Sequence, residues 1–474
     1  MYSPHLSAIS AAVLSALFTV PILATAEPIK VDSFLQLRGS NINSDGYYFE
    51  SGANLETEGE GLDEGILSLL QGGQRKTSIS FNGDASLKSG RYVFELHGVD
   101  VDINGPTGGQ ITLISEGPTS ETDWTEENAY PTSSALLIKG SDENPTKIRF
   151  NDININFITN AHSNTNKKKE ELGAGTIVVA GGAQGGAGYV ELGFNNSNVY
   201  VGFTLEGDYE QDNLAYGIIT RQNKNSLTFN NSNLKLDSNF GGVYLEETNL
   251  YADGDIFEVN SGIDFEQESH TAHNKNNGGE DHNKNIYGLY ADSNYKDYSL
   301  NFKSKYTTII GINGVQLETY RYSSSWIGSF NVNFEGEETE IIARNTNGYF
   351  DETYAFNMDY WDPSNKEDIE KNTIEFNSRI SKITNYQSAN SSIDESINGS
   401  KITGFHGEIA DIKFNNIVDI FAGAEKLNNV KEIIGLSLTG ASSATVRTAE
   451  RFSVISLTDS AVSYTHLRAH ETKA

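Results

Sequence analysis

The sequence predicts an all-β solenoid, a column built by stacking one unit. Three observations predict it. Phe-Asn-Asn-Ser-Asn occurs twice, at Phe194–Asn198 and at Phe229–Asn233, 35 residues apart. Each copy ends a strand-like run, Tyr189–Gly193 before the first and Ser226–Thr228 before the second. A looser element, an apolar residue, one spacer, then Phe and usually Asn, recurs along most of the chain. A strand and an asparagine turn repeated at a near-constant period is the mark of stacked units.

Taken in order, residues 1–26 read as a secretory signal peptide. The apolar stretch Ala11–Leu23 precedes a small-x-small site at Ala24-Thr25-Ala26, with cleavage expected before Glu27. The stretch is too short for a membrane anchor and no basic stop-transfer segment follows it. Residues 27–70 are glycine- and acid-rich and are expected to cap the first coil. Residues 71–461 carry the repeat.

The repeat appears as Ile79-Ser80-Phe81-Asn82, Ile148-Arg149-Phe150-Asn151, Leu192-Gly193-Phe194-Asn195 and Leu227-Thr228-Phe229-Asn230. It returns at Leu300-Asn301-Phe302, Val332-Asn333-Phe334, Ile374-Glu375-Phe376-Asn377 and Ile412-Lys413-Phe414-Asn415. From Phe150 onward the Phe spacings are 44, 35, 73, 32, 42 and 38, so 73 stands for about two units. Period-2 alternation places the aliphatic residue and Phe on one face, in register with the coils above and below. Asn tolerates the left-handed backbone of a corner, and stacked Asn side chains pair their amides between coils. A second landmark keeps step, Ala215-Tyr216-Gly217-Ile218 before Phe229 and Ile286-Tyr287-Gly288-Leu289 before Phe302. A string of β-sandwiches is the competing all-β architecture, but such domains rarely share one asparagine-cornered motif.

Two segments read as excursions from the column. Glu266–Lys284 is polar and aperiodic. Asp351–Lys371 holds Tyr354, Phe356, Tyr360 and Trp361 among many acids, with a short helix expected at Ser364–Lys371. Lys167–Glu171 reads as a surface loop.

The chain has 474 residues, too many for one compact core, a limit that a stacked column escapes because each coil packs only on its neighbours. Its formal net charge is −30, from 64 acidic and 34 basic residues. That field repels nucleic acid and anionic membrane surfaces and excludes both as partners. There is no cysteine, so stability rests on packing and on ladder hydrogen bonds. With 23 Tyr and 23 Phe the chain has the apolar payload to do this.

No residue set stands out as catalytic, cofactor-binding or metal-ligating. His270, His273 and His282 with Asp281 have metal-ligand chemistry but loose spacing, and read as a solvated insertion. Gly181–Gly188 matches a phosphate loop only in glycine content, with no Lys-Ser/Thr after it. No Gly-x-Ser-x-Gly or Gly-Asp-Ser-Gly serine motif is present. Carboxylates suited to polysaccharide cleavage are so abundant that no pair is singled out. In Asp359-Tyr360-Trp361-Asp362, the candidate glycan contacts are Tyr360 and Trp361, although a loop anchored on the solenoid by its aromatics is the favoured reading of them.

The export signal, the cysteine-free acidic column and the Asn/Gly corners together resemble the passenger of a bacterial autotransporter (type V secretion) over residues 27–460. The resemblance implies a right-handed parallel β-helix with loop insertions, displayed at the surface of a Gram-negative bacterium or released outside it. It implies attachment to the outer membrane only through a C-terminal β-barrel translocator. Proteolytic members carry a serine motif that this chain lacks, so the expected role is adhesive, toward a glycan or protein of a host or neighbouring cell, with no cofactor. The alternative is a secreted β-helical lyase or hydrolase acting on polysaccharide. Residues 462–474 resemble the translation of a transposase-based sequencing adapter, from Val462-Ser463-Tyr464-Thr465-His466-Leu467 to Thr472. On that reading the native passenger continues in another sequence after Ala461.

Overall fold

A computed structural model describes residues 27–467 except 58–64, 107, 117–132, 141–143, 163–173, 181–188, 207–214, 222–223, 264–285, 294–296, 321–327, 346–351, 362–371, 388–399, 425–429, 440–441, 448–450 and 459–460. The signal peptide, the histidine-rich insertion, Gly181–Gly188, Lys167–Glu171 and the helix expected at Ser364–Lys371 all lie outside the described residues.

The strands form three sheets of 13, 13 and 12 members, here A, C and B. The chain visits A, then C, then B, and returns to A one coil further on. Every strand thus pairs in parallel with its counterparts in the coils on either side, with one departure among the described residues. Ala461–Leu467 runs antiparallel to Phe452–Thr458. The molecule is a right-handed parallel β-helix. Residues 27–70 already contribute strands to all three sheets, among them Ile29–Lys30 in A, Leu35–Arg38 in B and Ala53–Thr57 in C.

The repeated pentapeptide explains why the coils stack in this register. Phe194 pairs with Phe229 across sheet A, both fully buried, their rings stacked at 5.1 Å. Asn195 accepts from the Asn230 amide at 2.9 Å and donates to Asn151 at 2.8 Å, extending a ladder that reaches Asn104. Asn196 and Asn231 take left-handed backbone, φ 50° and 46°, and turn the chain from sheet A into sheet C. Ser197 and Ser232 are buried under that corner, and the Ser197 amide donates to the Ser232 hydroxyl at 2.9 Å. Asn198 and Asn233 begin the sheet C ladder, 2.8 Å apart. Each position of the motif therefore has its own task, and a slip of one residue would reverse all of them.

The spacing of 73 residues hides one coil. Leu250-Tyr251-Ala252 pairs with Leu227-Thr228-Phe229 on one side and with Leu300-Asn301-Phe302 on the other. Ala252 leaves a gap in the phenylalanine stack, and Phe257 of sheet C fills it. Its ring lies edge-on to Phe229 at 6.0 Å and to Phe302 at 5.2 Å. Beyond Phe302 the stack resumes through Phe334, Phe376 and Phe414, with centroids 4.8, 5.0 and 5.5 Å apart.

One excursion is corrected. Of Asp351–Lys371, residues Glu352–Trp361 form a regular strand of sheet B that pairs with Asn313–Tyr320 and Ser400–Glu408. Ala355, Phe356 and Met358 are buried in the core while Tyr354, Asp359 and Tyr360 stay half-exposed, so this part of the segment belongs to the column.

Candidate functional site

Sheets A and C alternate buried and half-exposed residues, core side in and water side out. Sheet B differs. Gly65–Leu70, Tyr92–His97, Ser134–Lys139 and Ala215–Arg221 are buried along almost their whole length. In these four strands both faces are covered, which is why they read as continuous apolar runs, whereas the later strands keep Glu246, Glu318, Asp359 and Glu408 half-exposed on the outer face.

The long connections are distributed unevenly. Corners from A to C are short, as at 152–153, 196–197 and 231–232. The long segments join C to B (116–133, 163–173, 207–214, 261–286, 388–399) or B to A (181–189, 321–328, 362–371). All of them leave from the two borders of sheet B.

The outer face of sheet B carries a column of aligned side chains. Leu137, Val178 and Ile219 lead into Tyr244, Tyr290, Gln316, Asn357 and His406. The Tyr244 and Tyr290 rings are stacked at 5.0 Å. Two residues further along each strand runs a charged column. Its ionisable side chains begin with His97, Lys139 and, beyond Ala180, Arg221, and become acidic at Glu246, Asp292, Glu318 and Asp359, with Glu408 after the last register pair. Arg221 pairs with Glu246 at 3.2 Å where the sign changes. Burial, then Lys139 and Arg38, holds the His97 pKa down to about 3, so that imidazole stays neutral.

The two columns are bonded to each other. Tyr244 donates to the Asp292 carboxylate of the next coil at 3.3 Å, and Tyr290 to that of Glu318 at 2.7 Å. Gln316 donates to Glu318 at 3.1 Å and to Asp359 at 2.9 Å, and Asn357 donates to Asp359 at 2.8 Å. Asp292 is buried between two acids. Burial, with Glu246, Glu247 and Glu318 nearby, pushes its carboxyl well above the usual range, against the opposing Tyr244 hydrogen bond.

At the acidic end Asp359, His406 and Glu408 bring three ligand-type atoms within 4.8 Å of one another, all half-buried. Burial lowers the His406 pKa, while Asp359 and Glu408 pull it upward. These are the described residues with the donor set to hold a cation. The acid ladder as a whole offers hydrogen-bond acceptors to a polar or cationic ligand.

Of the sequence-predicted glycan contacts, Tyr360 is the penultimate residue of the Glu352–Trp361 strand, half-buried beside Asp359 and in register with Thr319. Trp361 pairs through its backbone with Tyr320, and its side chain lies outside the described residues. The sequence reading missed the ladder itself. Its signal is a tetrad of apolar, variable, apolar or small, and acidic residues. It recurs as Val243-Tyr244-Leu245-Glu246, Leu289-Tyr290-Ala291-Asp292, Val315-Gln316-Leu317-Glu318, Phe356-Asn357-Met358-Asp359 and Phe405-His406-Gly407-Glu408. No helix among the described residues is long and apolar enough to cross a membrane. No protein-family model, curated protein or solved structure matches this chain.

Proposed function

We propose that the chain is the column of an exported, surface-displayed protein of the autotransporter-passenger kind, which acts by binding and not by catalysis. The contact region is the outer face of sheet B with its two borders. The observation that supports this reading is the confinement of long insertions to those borders. A column that needed only to be rigid would tolerate insertions at any corner. Here the long connections all start or end at a strand of sheet B, and loops borne on a rigid scaffold are where binding residues concentrate. The acid ladder favours a neutral glycan or a basic protein patch on the opposing cell and disfavours anionic polysaccharide.

One observation favours a second reading, a polysaccharide-acting enzyme. Asp292, with its raised pKa between Glu246 and Glu318, has the chemistry of a general acid beside carboxylates. Its burial argues against that role, because 7% exposure leaves no room for a polymer at the carboxyl group.

The test applies the whole chain to arrays of neutral, acidic and basic cell-surface glycans and proteins, with reducing-end and unsaturated-product assays on every glycan bound. Saturable binding without product, weakened by Glu318→Gln with Asp359→Asn, is the expected result. Product release abolished by Asp292→Asn would establish the enzyme. Binding that ignores the ladder variants would remove sheet B from the proposal.

A further inference from the structure

We propose that Asp359, His406 and Glu408 form a binding site for a divalent transition-metal ion of the Zn²⁺ type, clipping two successive coils together on the outer face of sheet B.

The donor set comes from two paired strands. Asp359 lies on Glu352–Trp361, and His406 and Glu408 lie on Ser400–Glu408. The register sets Asn357 opposite His406 and Met358 opposite Gly407, so Asp359 and Glu408 face each other one step on. Neighbouring strands stand about 4.8 Å apart, and residues two apart on a strand share a face. That register brings one imidazole and two carboxylates to one spot, within 4.8 Å. Ligands at ~2.1 Å from Zn²⁺ lie about 3–4 Å from one another, so small side-chain rotations suffice. His406 Nε2 and Asp359 Oδ1 are already 3.9 Å apart.

The surroundings are built for the aspartate. Asp359 Oδ2 accepts from the Asn357 amide at 2.8 Å and from the Gln316 amide at 2.9 Å. Both amides are buried, and Asn357 Nδ2 also donates to Gln316 Oε1 at 2.8 Å. These bonds fix the carboxylate and leave Oδ1 on the side of His406, the arrangement in which outer-shell donors orient a metal ligand. A second, independent observation comes from Asn357. Only 3% exposed, it has its side-chain carbonyl Oδ1 buried with no hydrogen-bond partner, in the register cell opposite His406. A buried carbonyl without a donor is costly, and a cation or a metal-bound water supplies what it lacks.

The chemistry selects the metal class. A mixed nitrogen and oxygen set suits Zn²⁺ or its first-row neighbours, whereas Ca²⁺ and Mg²⁺ prefer oxygen alone. The nearest basic side chain on these strands, Lys401, is paired with Glu352, so it does not neutralise the cluster. Three protein ligands leave a position for water or for a group from a partner.

The experiment is calorimetric titration of the whole chain, freed of metal by chelator, with Zn²⁺, Co²⁺ and Ca²⁺, followed by thermal melts. The expected result is one equivalent of Zn²⁺ bound, a raised Tm, and a Co²⁺ visible spectrum with imidazole character. His406→Gln and Glu408→Gln, both at half-exposed positions that tolerate the change, should each weaken Zn²⁺ by more than about tenfold, and Asn357→Ala by about tenfold. The combined variant His270→Ala, His273→Ala and His282→Ala should bind as the parent does. Binding lost in that combined variant and kept in His406→Gln would overturn the site, as would Ca²⁺ binding as tightly as Zn²⁺ or no stoichiometric uptake at all.

Discussion

Asp292 shows how much one residue of this face can hold in tension. Its Oδ2 accepts from Tyr244, but its Oδ1 is buried without a partner. Burial and the neighbouring Glu246, Glu247 and Glu318 raise its pKa well above 3.8. An acid whose pKa is higher in the folded than in the unfolded chain favours folding only while it is protonated. Its contribution is complete below the unfolded pKa and is lost as pH climbs through the folded value. Asp292→Asn removes the titration and keeps the shape. We expect it to leave stability near the parent's at pH 4 and to exceed the parent at pH 8 by roughly 1–3 kcal/mol, the scale of an unsatisfied buried polar group. Thermal melts across pH would show it. Parallel curves for the two proteins would mean that Asp292 is not the strained group. The sequence could not reveal this residue, because in a chain with 64 acids only the fold selects which carboxylates are buried side by side.

At the scale of elements, sheet A was legible along the chain, whereas sheet B showed only at its Tyr-Gly landmark, Ala215–Ile218 and Ile286–Leu289, for a physical reason. Strands of sheet A have one dry and one wet face, so their side chains alternate and the Phe-Asn repeat stands out. The early strands of sheet B are dry on both faces, and their runs show no period to read. The variable position of their tetrad also changes from Tyr to Gln to Asn to His along the column, which hides the alignment until the register is known. The same division predicts mutational costs. Phe194 is stacked between Phe150 at 4.9 Å and Phe229 at 5.1 Å, so Phe194→Ala should lose about 3–5 kcal/mol. The adjacent Asn195 makes two bonds of a half-buried amide ladder, and Asn195→Ala should lose only about 1–2 kcal/mol. Urea titrations that rank the two in the opposite order would show that the ladder, and not the ring stack, sets the coil spacing. Close packing also decides where glycine is required. A Cβ at Gly242 would fall against the Gly288 carbonyl oxygen of the next coil, a contact the backbone cannot yield without breaking the sheet.

For the whole molecule, the architecture makes stability local. Each coil pairs only with the coils beside it, so free energy is closer to a sum of coil and interface contributions than to one global term. The net charge of −30 adds a diffuse repulsion along the column, which salt screens. Phe229 offers a direct test, because it is fully buried at the place where the ring stack passes from sheet A to Phe257. In Phe229→Ala, hydrogen exchange should quicken in Asn225–Asn230 and in its partner strands Val190–Asn195 and Thr248–Ala252. It should be unchanged in Arg75–Phe81 and Ala410–Asn415, many coils away. That result would mean that a lesion spreads only as far as neighbouring interfaces carry it, leaving distant coils able to present the face of sheet B. Equal quickening along the whole chain would make the column one cooperative unit, and the face would then be lost with any coil.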